Sequence, residues 1–441
     1  MMRLSKGGIG EVPIVTVVLI VVLVAMSVCA AANGPVPVTG VKGMYLVTDF
    51  GAKGDGVTDD TQAFKDALKA AGDAGGGVVF APTGDYLIKG NLYFPPQVTL
   101  EGVFRAPVAL YGAFTEDAPP TIQKGTTLLA VENKGNPDGK PFIFLRDDCT
   151  LKGLTIFYPE QDRKEPVPYP PCVRGMGDNC SIIDCLFVNP WFAVDFGHDP
   201  CGRHLIRGLY AQPIKTGIYV DVCLDVGRIE DVHLWPFWDI PLMKDYTLKN
   251  GTAFIFGRTD WEYVSGCFSI FFKVGFHFGA FKKPGPGNVV VTRSGADMTP
   301  CAVLVEKSQG HSGLAFGDCQ FMAGIEVKDT NGGPVKFNNC GFWGIPSTTI
   351  NHARVAGRGH VTFNSCHFIT WDKDNEGEPC IYSNGRALTV SSCDFLNADK
   401  NQIVLGEDQQ AAIIMGNLMR GGIKVENKSN GKVEMGLNVA D

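Results

Sequence analysis

Short stretches of alternating apolar and polar residues recur along this chain in a common phase. Aligned on Pro190, Pro213 and Pro236, which lie 23 residues apart, Ile183-Asp184-Cys185-Leu186-Phe187 superposes on Ile206-Arg207-Gly208-Leu209-Tyr210 and on Ile229-Glu230-Asp231-Val232-His233. One repeat earlier, Cys149-Thr150-Leu151 through Pro159 matches Cys180-Ser181-Ile182 through Pro190 at an offset of 31. The eight extra residues fall in the proline-rich stretch Glu160–Pro171 and predict a long loop there. A second pattern, a small polar residue followed by Cys-x-Phe, occurs at Cys185/Phe187, Cys319/Phe321, Cys340/Phe342, Cys366/Phe368 and Cys393/Phe395, the last four spaced 21, 26 and 27 residues. Alternation puts the Cys and the Phe of each motif on one face of a strand, and a period of about 20–30 residues predicts a solenoid. Coils stacked ~4.8 Å apart bring such residues into inward ladders, because no coil buries its apolar face alone.

After Thr48 the chain reads DFGAKGDGVTDDTQAFKDALKAAGDAGGGVVFAPTGDYLI. Asp59 or Asp60 can cap a short helix whose apolar face is Ala63, Phe64, Ala67, Leu68 and Ala71; Gly75-Gly76-Gly77 ends it and Val78–Phe80 opens a strand. This segment resembles the amino-terminal signature of the pectate lyase superfamily, in particular its rhamnogalacturonase/epimerase-like members, and a similar opening occurs in some viral tailspikes. The resemblance implies an all-β fold, a right-handed single-stranded parallel β-helix with an N-terminal capping helix over the open edge of the first coil. The expected organisation is a signal peptide over residues 1–32, a cap with the first coils over 45–97, and the β-helix over 98–430.

The signal peptide rests on Arg3 and Lys6 ahead of an apolar run from Ile14 to Val28, closed by Ala30-Ala31-Ala32. It predicts a secreted or periplasmic chain with no membrane attachment after cleavage. The 39 Lys+Arg against 46 Asp+Glu, net charge −7, give no electrostatic footprint for nucleic acid. Of the 14 Cys, 13 follow the leader and recur at core positions, where parallel side-chain vectors suit buried free thiols better than disulfides. Close Cys pairs of the kind a structural zinc cluster needs are lacking, and no metal site is assigned.

Candidate chemistry concentrates between residues 190 and 262, where Trp191, Trp235, Trp238 and Trp261 join His198, His204, His233 and several carboxylates. The 23-residue register makes rows of Asn189/Gln212/Trp235, of Phe192/Lys215/Trp238 and of Asp184/Arg207/Glu230, and aligns His198 with Asp221 and Lys244, close to Asp199. A His beside carboxylates can share protons, although a polar turn closing a coil would look the same. The cluster Arg258, Asp260, Trp261 and Glu262 sets paired acids beside an aromatic platform, as glycoside hydrolysis requires, or else Arg258 simply neutralises surface acids. His198, Asp199, Asp221, Asp260 and Glu262 are therefore the candidate catalytic residues, with Trp235, Trp238, Lys244, Arg258 and Trp261 as candidate substrate contacts. His277, Lys282, Lys283, Arg293 and Asp297 can extend the groove.

Polygalacturonases on this fold carry Asn-x-Asp, Asp-Asp, Gly-His-Gly and Arg-x-Lys in order. Here Gly197-His198-Asp199 matches the third only in part and Arg-x-Lys does not occur, so no catalytic residue carries over. The expected function is an exported carbohydrate-active protein, a polysaccharide hydrolase or lyase acting on pectin-like or other acidic glycans; the competing class is a non-catalytic glycan-binding solenoid. Hydrolysis needs no cofactor, whereas a lyase can use calcium, for which Asp195, Asp199, Asp221 and Asp225 are the acids at hand.

Overall fold

The computed structural model describes residues 41–103, 125–162, 164–235 and 243–441. The proposed signal peptide, Pro236 and Trp238 lie outside the described residues. Parallel strands wind through two long sheets, one of 28 strands and one of 13 among the described residues, and the chain is a parallel β-helix. Pairing runs from Met44–Leu46 on Gly77–Phe80 to Leu418–Met419 on Val439–Ala440. The helix Thr61–Asp73 buries Ala63, Phe64, Ala67, Leu68 and Ala71 against the first coils, as its apolar spacing predicts. Asp60 is its N-cap residue but caps nothing: its carboxylate accepts the Lys53 and Gly54 N–H groups at 2.7 and 3.0 Å, while Asp59 accepts the Thr61 N–H at 3.1 Å. No helix among the described residues is long and apolar enough to cross a membrane.

The Cys-x-Phe ladder is present at the expected offsets, with Phe321 paired to Phe342, Phe342 to Phe368 and Phe368 to Phe395. Rings stack at 4.9 Å for Phe342–Phe368 and 5.0 Å for Phe368–Phe395. The small polar residue before each Cys has a specific task. Asp184, Asp318, Asn339, Ser365 and Ser392 all adopt φ between 51° and 55°, as do their counterparts in other coils, among them Gly208 at 64° and Gly266 at 66°. This left-handed column bends the longer sheet into two faces. Asn, Asp and Gly tolerate that conformation at least cost, so the composition of the motif follows from a dihedral angle.

The offset of 31 holds, pairing Thr150 with Ser181 and Phe157 with Val188. The step from Ser181–Val188 to Leu205–Gln212 is 24 residues rather than 23, so Ile182, not Ile183, faces Ile206; only the next step, Leu205 to Arg228, is 23. The prolines misled because Pro190 and Pro213 do share a corner, where the Ile214 N–H donates to the Pro190 carbonyl at 2.9 Å. One residue is absorbed on each side of that corner. Because side chains alternate with period two, the slip matters. Asp184 lies opposite Gly208, so it leaves the expected row Asp184/Arg207/Glu230, of which Arg207 and Glu230 do pair. Gln212 pairs with Val188, not Asn189, and Phe192 with Thr216, not Lys215.

All 13 described cysteines are free, and all but Cys301 are buried. Burial pushes the Cys149 thiol up to about 11 and the Cys185 and Cys267 thiols up to about 12. Alkylation of the native protein should therefore leave its mass unchanged near neutral pH, whereas unfolding without reductant should expose every thiol. Mass spectrometry that found cysteines still protected after unfolding would reveal disulfides instead.

His352 lies wholly buried among Phe342 and Phe368, donating Nε2–H to the Ile369 carbonyl at 2.9 Å. Burial depresses it from 6.5 to about 4. The unfolded chain takes up this proton first, so the contribution is intact above pH 6.5 and is lost as pH falls toward 4. Its size is about 3 kcal/mol. His352→Gln keeps a donor for Ile369 and should flatten the stability–pH curve in that window by this amount, read by urea unfolding; an unchanged slope would contradict the assignment.

Candidate active site

On the shorter sheet, Val194, Ile218, Phe254, Phe276 and Val303 form one inward column and Phe196, Val220, Phe256, Phe278 and Val305 another, all essentially inaccessible. Between them a column faces outward: Arg174, Asp195, Tyr219, Ile255, His277, Leu304 and Glu326. Its carboxylates and hydroxyl are locked. Asp195 accepts the Gly197 and His198 N–H groups at 3.1 and 2.8 Å and the Arg174 Nε–H at 2.9 Å. Tyr219 donates its hydroxyl to Asp221 Oδ2 at 2.8 Å; burial, then this bond, raise the phenol well above 10. Asp221 Oδ1 also accepts from the Val222 and Arg258 N–H groups at 2.8 and 2.7 Å.

The segment following Val274–Phe278 folds back across this face. Phe281 meets Tyr219 edge-on at 6.0 Å and His277 at 5.2 Å, and Lys282 Nζ donates to the carbonyls of Gly197 and His198 at 2.6 Å each. His277 Nε2 stands 3.3 Å from Glu306 Oε2. Beside this segment, Ala280, Glu306, Lys307, Lys328, Asp329 and Thr330 line a cavity of about 380 Å³. A second concavity of about 380 Å³ lies on the longer sheet, with Phe268, Arg293, Asp297, Gln320 and Trp343 in its walls; burial raises the Asp297 carboxyl.

The sequence candidates divide accordingly. His198 is exposed and Asp199 half-buried at the corner beside Asp195. Asp221 lies opposite Gly197 rather than His198, since its N–H bonds the Phe196 carbonyl. The next coil spans 36 residues, Thr216 pairing with Thr252, so Gly257 takes the position expected for Lys244. Lys244 itself falls in the turn Met243–Thr247, of which only the backbone at that residue is described. Arg258 and Asp260 pair at 3.0 Å, and Gln309 donates to the other Asp260 oxygen at 2.9 Å, which is the neutralised surface arrangement. Trp261 is 63% exposed on a left-handed corner, whereas Trp235 is half-buried against Phe268. Arg174, Tyr219 and Phe281 were missed. Tyr219 sits two residues before Asp221, so alternation identifies it once the register is shifted by one.

Glu262 leaves the groove altogether. It points into the core, where Oε1 lies 3.0 Å from His204 Nε2; both side chains are inaccessible, and Cys223 joins them. Burial pulls the His204 imidazole down, but Glu262 and then Cys223 outweigh it and hold the group well above its ordinary range. Among the described residues this trio is the grouping of His, Cys, Asp and Glu within metal-ligand reach. Asp195, Asp199, Asp221 and Asp225 do not form one: Asp225 is turned to Arg203 at 2.9 Å.

Residues 45–128 match the family model described as "Rhamnogalacturonase A/epimerase, pectate lyase-like", so the resemblance drawn from the opening segment holds. Over 47 residues, 11% of the chain, it is 59% identical to "Alginate lyase 7" and 56% identical to "Mannuronan C5-epimerase AlgE1", both of Azotobacter vinelandii, covering 6% and 3% of those proteins. Over 56 residues, 12% of the chain, it is 46% identical to "Plasmin and fibronectin-binding protein A" of Streptococcus pneumoniae (strain ATCC BAA-255 / R6), covering 8% of that protein. The chain thus matches under a tenth of the length of these relatives. Among solved structures, the bacteriophage phi29 gene product 12 N-terminal fragment superposes with a TM-score of 0.64 at 14% identity over 96% of this chain and 73% of its own; that likeness concerns the fold.

Proposed function

We propose that the chain is an exported, carbohydrate-active β-helix enzyme that binds an acidic polysaccharide along the outer face of the shorter sheet and abstracts the proton beside a uronate carboxylate. Residues 1–32 serve as its export signal, 45–97 as cap and first coils, and the coils beyond as the catalytic scaffold. The observation that carries this reading is which groups remain available. Asp195 and Asp221 are consumed by three hydrogen bonds each, whereas His198, just after the strand of Asp195, and Lys307, just after Cys301–Val305 of the same sheet, are exposed. Two free carboxyls facing each other are what hydrolysis needs. An exposed imidazole among cations suits proton abstraction from an anionic sugar. The short matches to an alginate lyase and a mannuronan C5-epimerase support the same choice, because the second name places its chemistry at C5 and elimination from a uronate removes the same hydrogen.

In this scheme His198 takes the C5 proton. The electron pair then either forms the C4–C5 double bond, expelling the glycosidic oxygen, which takes a proton from water, or recaptures a proton from water on the opposite face. Asp221 holds Tyr219 in place, Lys282 fixes the corner that presents His198, and Arg258, Lys307 and Lys328 balance the polymer's charge. Alginate and polygalacturonate are the substrates to test. Ultraviolet absorbance of an unsaturated uronate reports elimination, and changed uronate ratios by NMR report epimerisation. New saturated reducing ends would instead establish hydrolysis. The match to a binding protein of Streptococcus pneumoniae favours a second reading, a non-catalytic glycan-binding solenoid, for which retained polymer with no product is the signature.

A further inference from the structure

We propose that His204, Cys223 and Glu262 form a buried site for one divalent transition-metal cation of the zinc class, lodged inside the solenoid and separate from the polysaccharide face. The column to which His204 and Glu262 belong is otherwise a core ladder. It runs through Cys149, Cys180, His204, Gly227 and Glu262 to Val289, Leu314 and Val335, each set beside the next by backbone pairing. Two polar side chains interrupt it on either side of a glycine. A Cβ at Gly227 would stand 2.2 Å from Glu262 Oε2 and 2.5 Å from His204 Cε1, so the missing side chain is what lets the two groups meet.

Donor and acceptor counting then identifies what is needed between them. His204 Nδ1 lies 2.9 Å from the Cys201 carbonyl, which can only accept, so Nδ1 carries a hydrogen and Nε2 presents its lone pair. That lone pair faces Glu262 Oε1 at 3.0 Å, another acceptor. A cation must reconcile them, either a second proton or a metal ion. The remaining atoms favour the metal. Glu262 Oε2 is fully buried with no hydrogen-bond partner, and the Cys223 sulfur stands with the imidazole nitrogen and a carboxylate oxygen inside a mutual 4.8 Å. Tetrahedral zinc bonds set ligand atoms about 3.3–3.7 Å apart, which asks for side-chain shifts of about 1 Å. Imidazole, thiolate and carboxylate are the zinc donor set, and the Nδ1–H bond to a backbone carbonyl is the usual outer support of a ligating histidine. Because all three residues are inaccessible, the ion enters as the chain folds, and binding is coupled to folding.

The test is refolding of the full chain with Co²⁺, followed by elemental analysis and absorption spectroscopy. One cobalt per chain is expected, with visible d–d bands and a near-ultraviolet sulfur-to-cobalt band. The near-isosteric Cys223→Ser should abolish the sulfur band alone, which sets this thiol apart from the other cysteines. Glu262→Gln should weaken binding at least about tenfold. Zn²⁺ should raise the melting temperature of the wild type more than that of Cys223→Ser, with circular dichroism confirming that the variant folds. Less than about one cobalt in ten chains, a sulfur band that survives Cys223→Ser, or melting indifferent to zinc in the wild type would overturn the proposal and leave an imidazolium–carboxylate pair in its place.

Discussion

Phe342→Ala lowers stability by about 3–5 kcal/mol, the range for deleting a fully buried ring from a core that cannot collapse around the gap. Phe342 is inaccessible, stacks on Phe368 at 4.9 Å, and meets Phe321, Phe337 and Phe363 at 5.5, 5.7 and 5.9 Å. Its neighbours are held by their own strands at the spacing of successive coils, so they cannot slide along the axis to fill the void. A solenoid distributes such a loss locally. Amide exchange should accelerate most in the coils between Phe321 and Phe395, and the urea transition should move earlier or split. A loss below about 1 kcal/mol would mean that this ladder is looser than its stacking distances indicate.

The second large effect concerns turnover. His198→Ala should reduce kcat about 10²–10⁴-fold on the responsive polymer, the usual contribution of a general base, with KM little changed because the cations that hold the polymer stay in place. Lys282→Ala releases the corner carbonyls and should lower kcat less, by disordering His198 rather than removing it. Asp260→Asn should have a small effect, since Asp260 is already neutralised by Arg258 at 3.0 Å. Steady-state kinetics on the three variants checks the order. Equal losses in all three would point to a structural cause.

How much the sequence revealed depended on what kind of signal each residue carried. The Cys-x-Phe ladder was legible because identical apolar residues recur at a strand position, and burial demands the same answer in each coil. The helix Thr61–Asp73 was legible for the same reason at helical spacing. The register across Pro190 and Pro213 was not, because a corner can absorb a residue without leaving a mark in composition, and the slip moved Asp221 from His198 to Gly197. Glu262 shows the deeper limit. Its neighbours Trp261 and Asp260 face outward, and nothing local says that a carboxylate will turn into the core; the reason lies at Gly227 and His204, one and two coils away. Arg174 was missed because its meaning comes from a hydrogen bond to Asp195 one coil on, which a linear reading cannot order until the register is right, and Tyr219 because its partner Asp221 was set beside His198.

The most direct test of the account is hydrogen exchange at the sugar carbon itself. Alginate incubated with the wild-type protein in D₂O should acquire deuterium at C5 of an inverted uronate, or lose the C5 hydrogen altogether in an unsaturated end, and His198→Ala should suppress both. Polymer that binds yet returns with every C5 hydrogen in place, or shortens to saturated ends that keep that hydrogen, would contradict proton abstraction on this face.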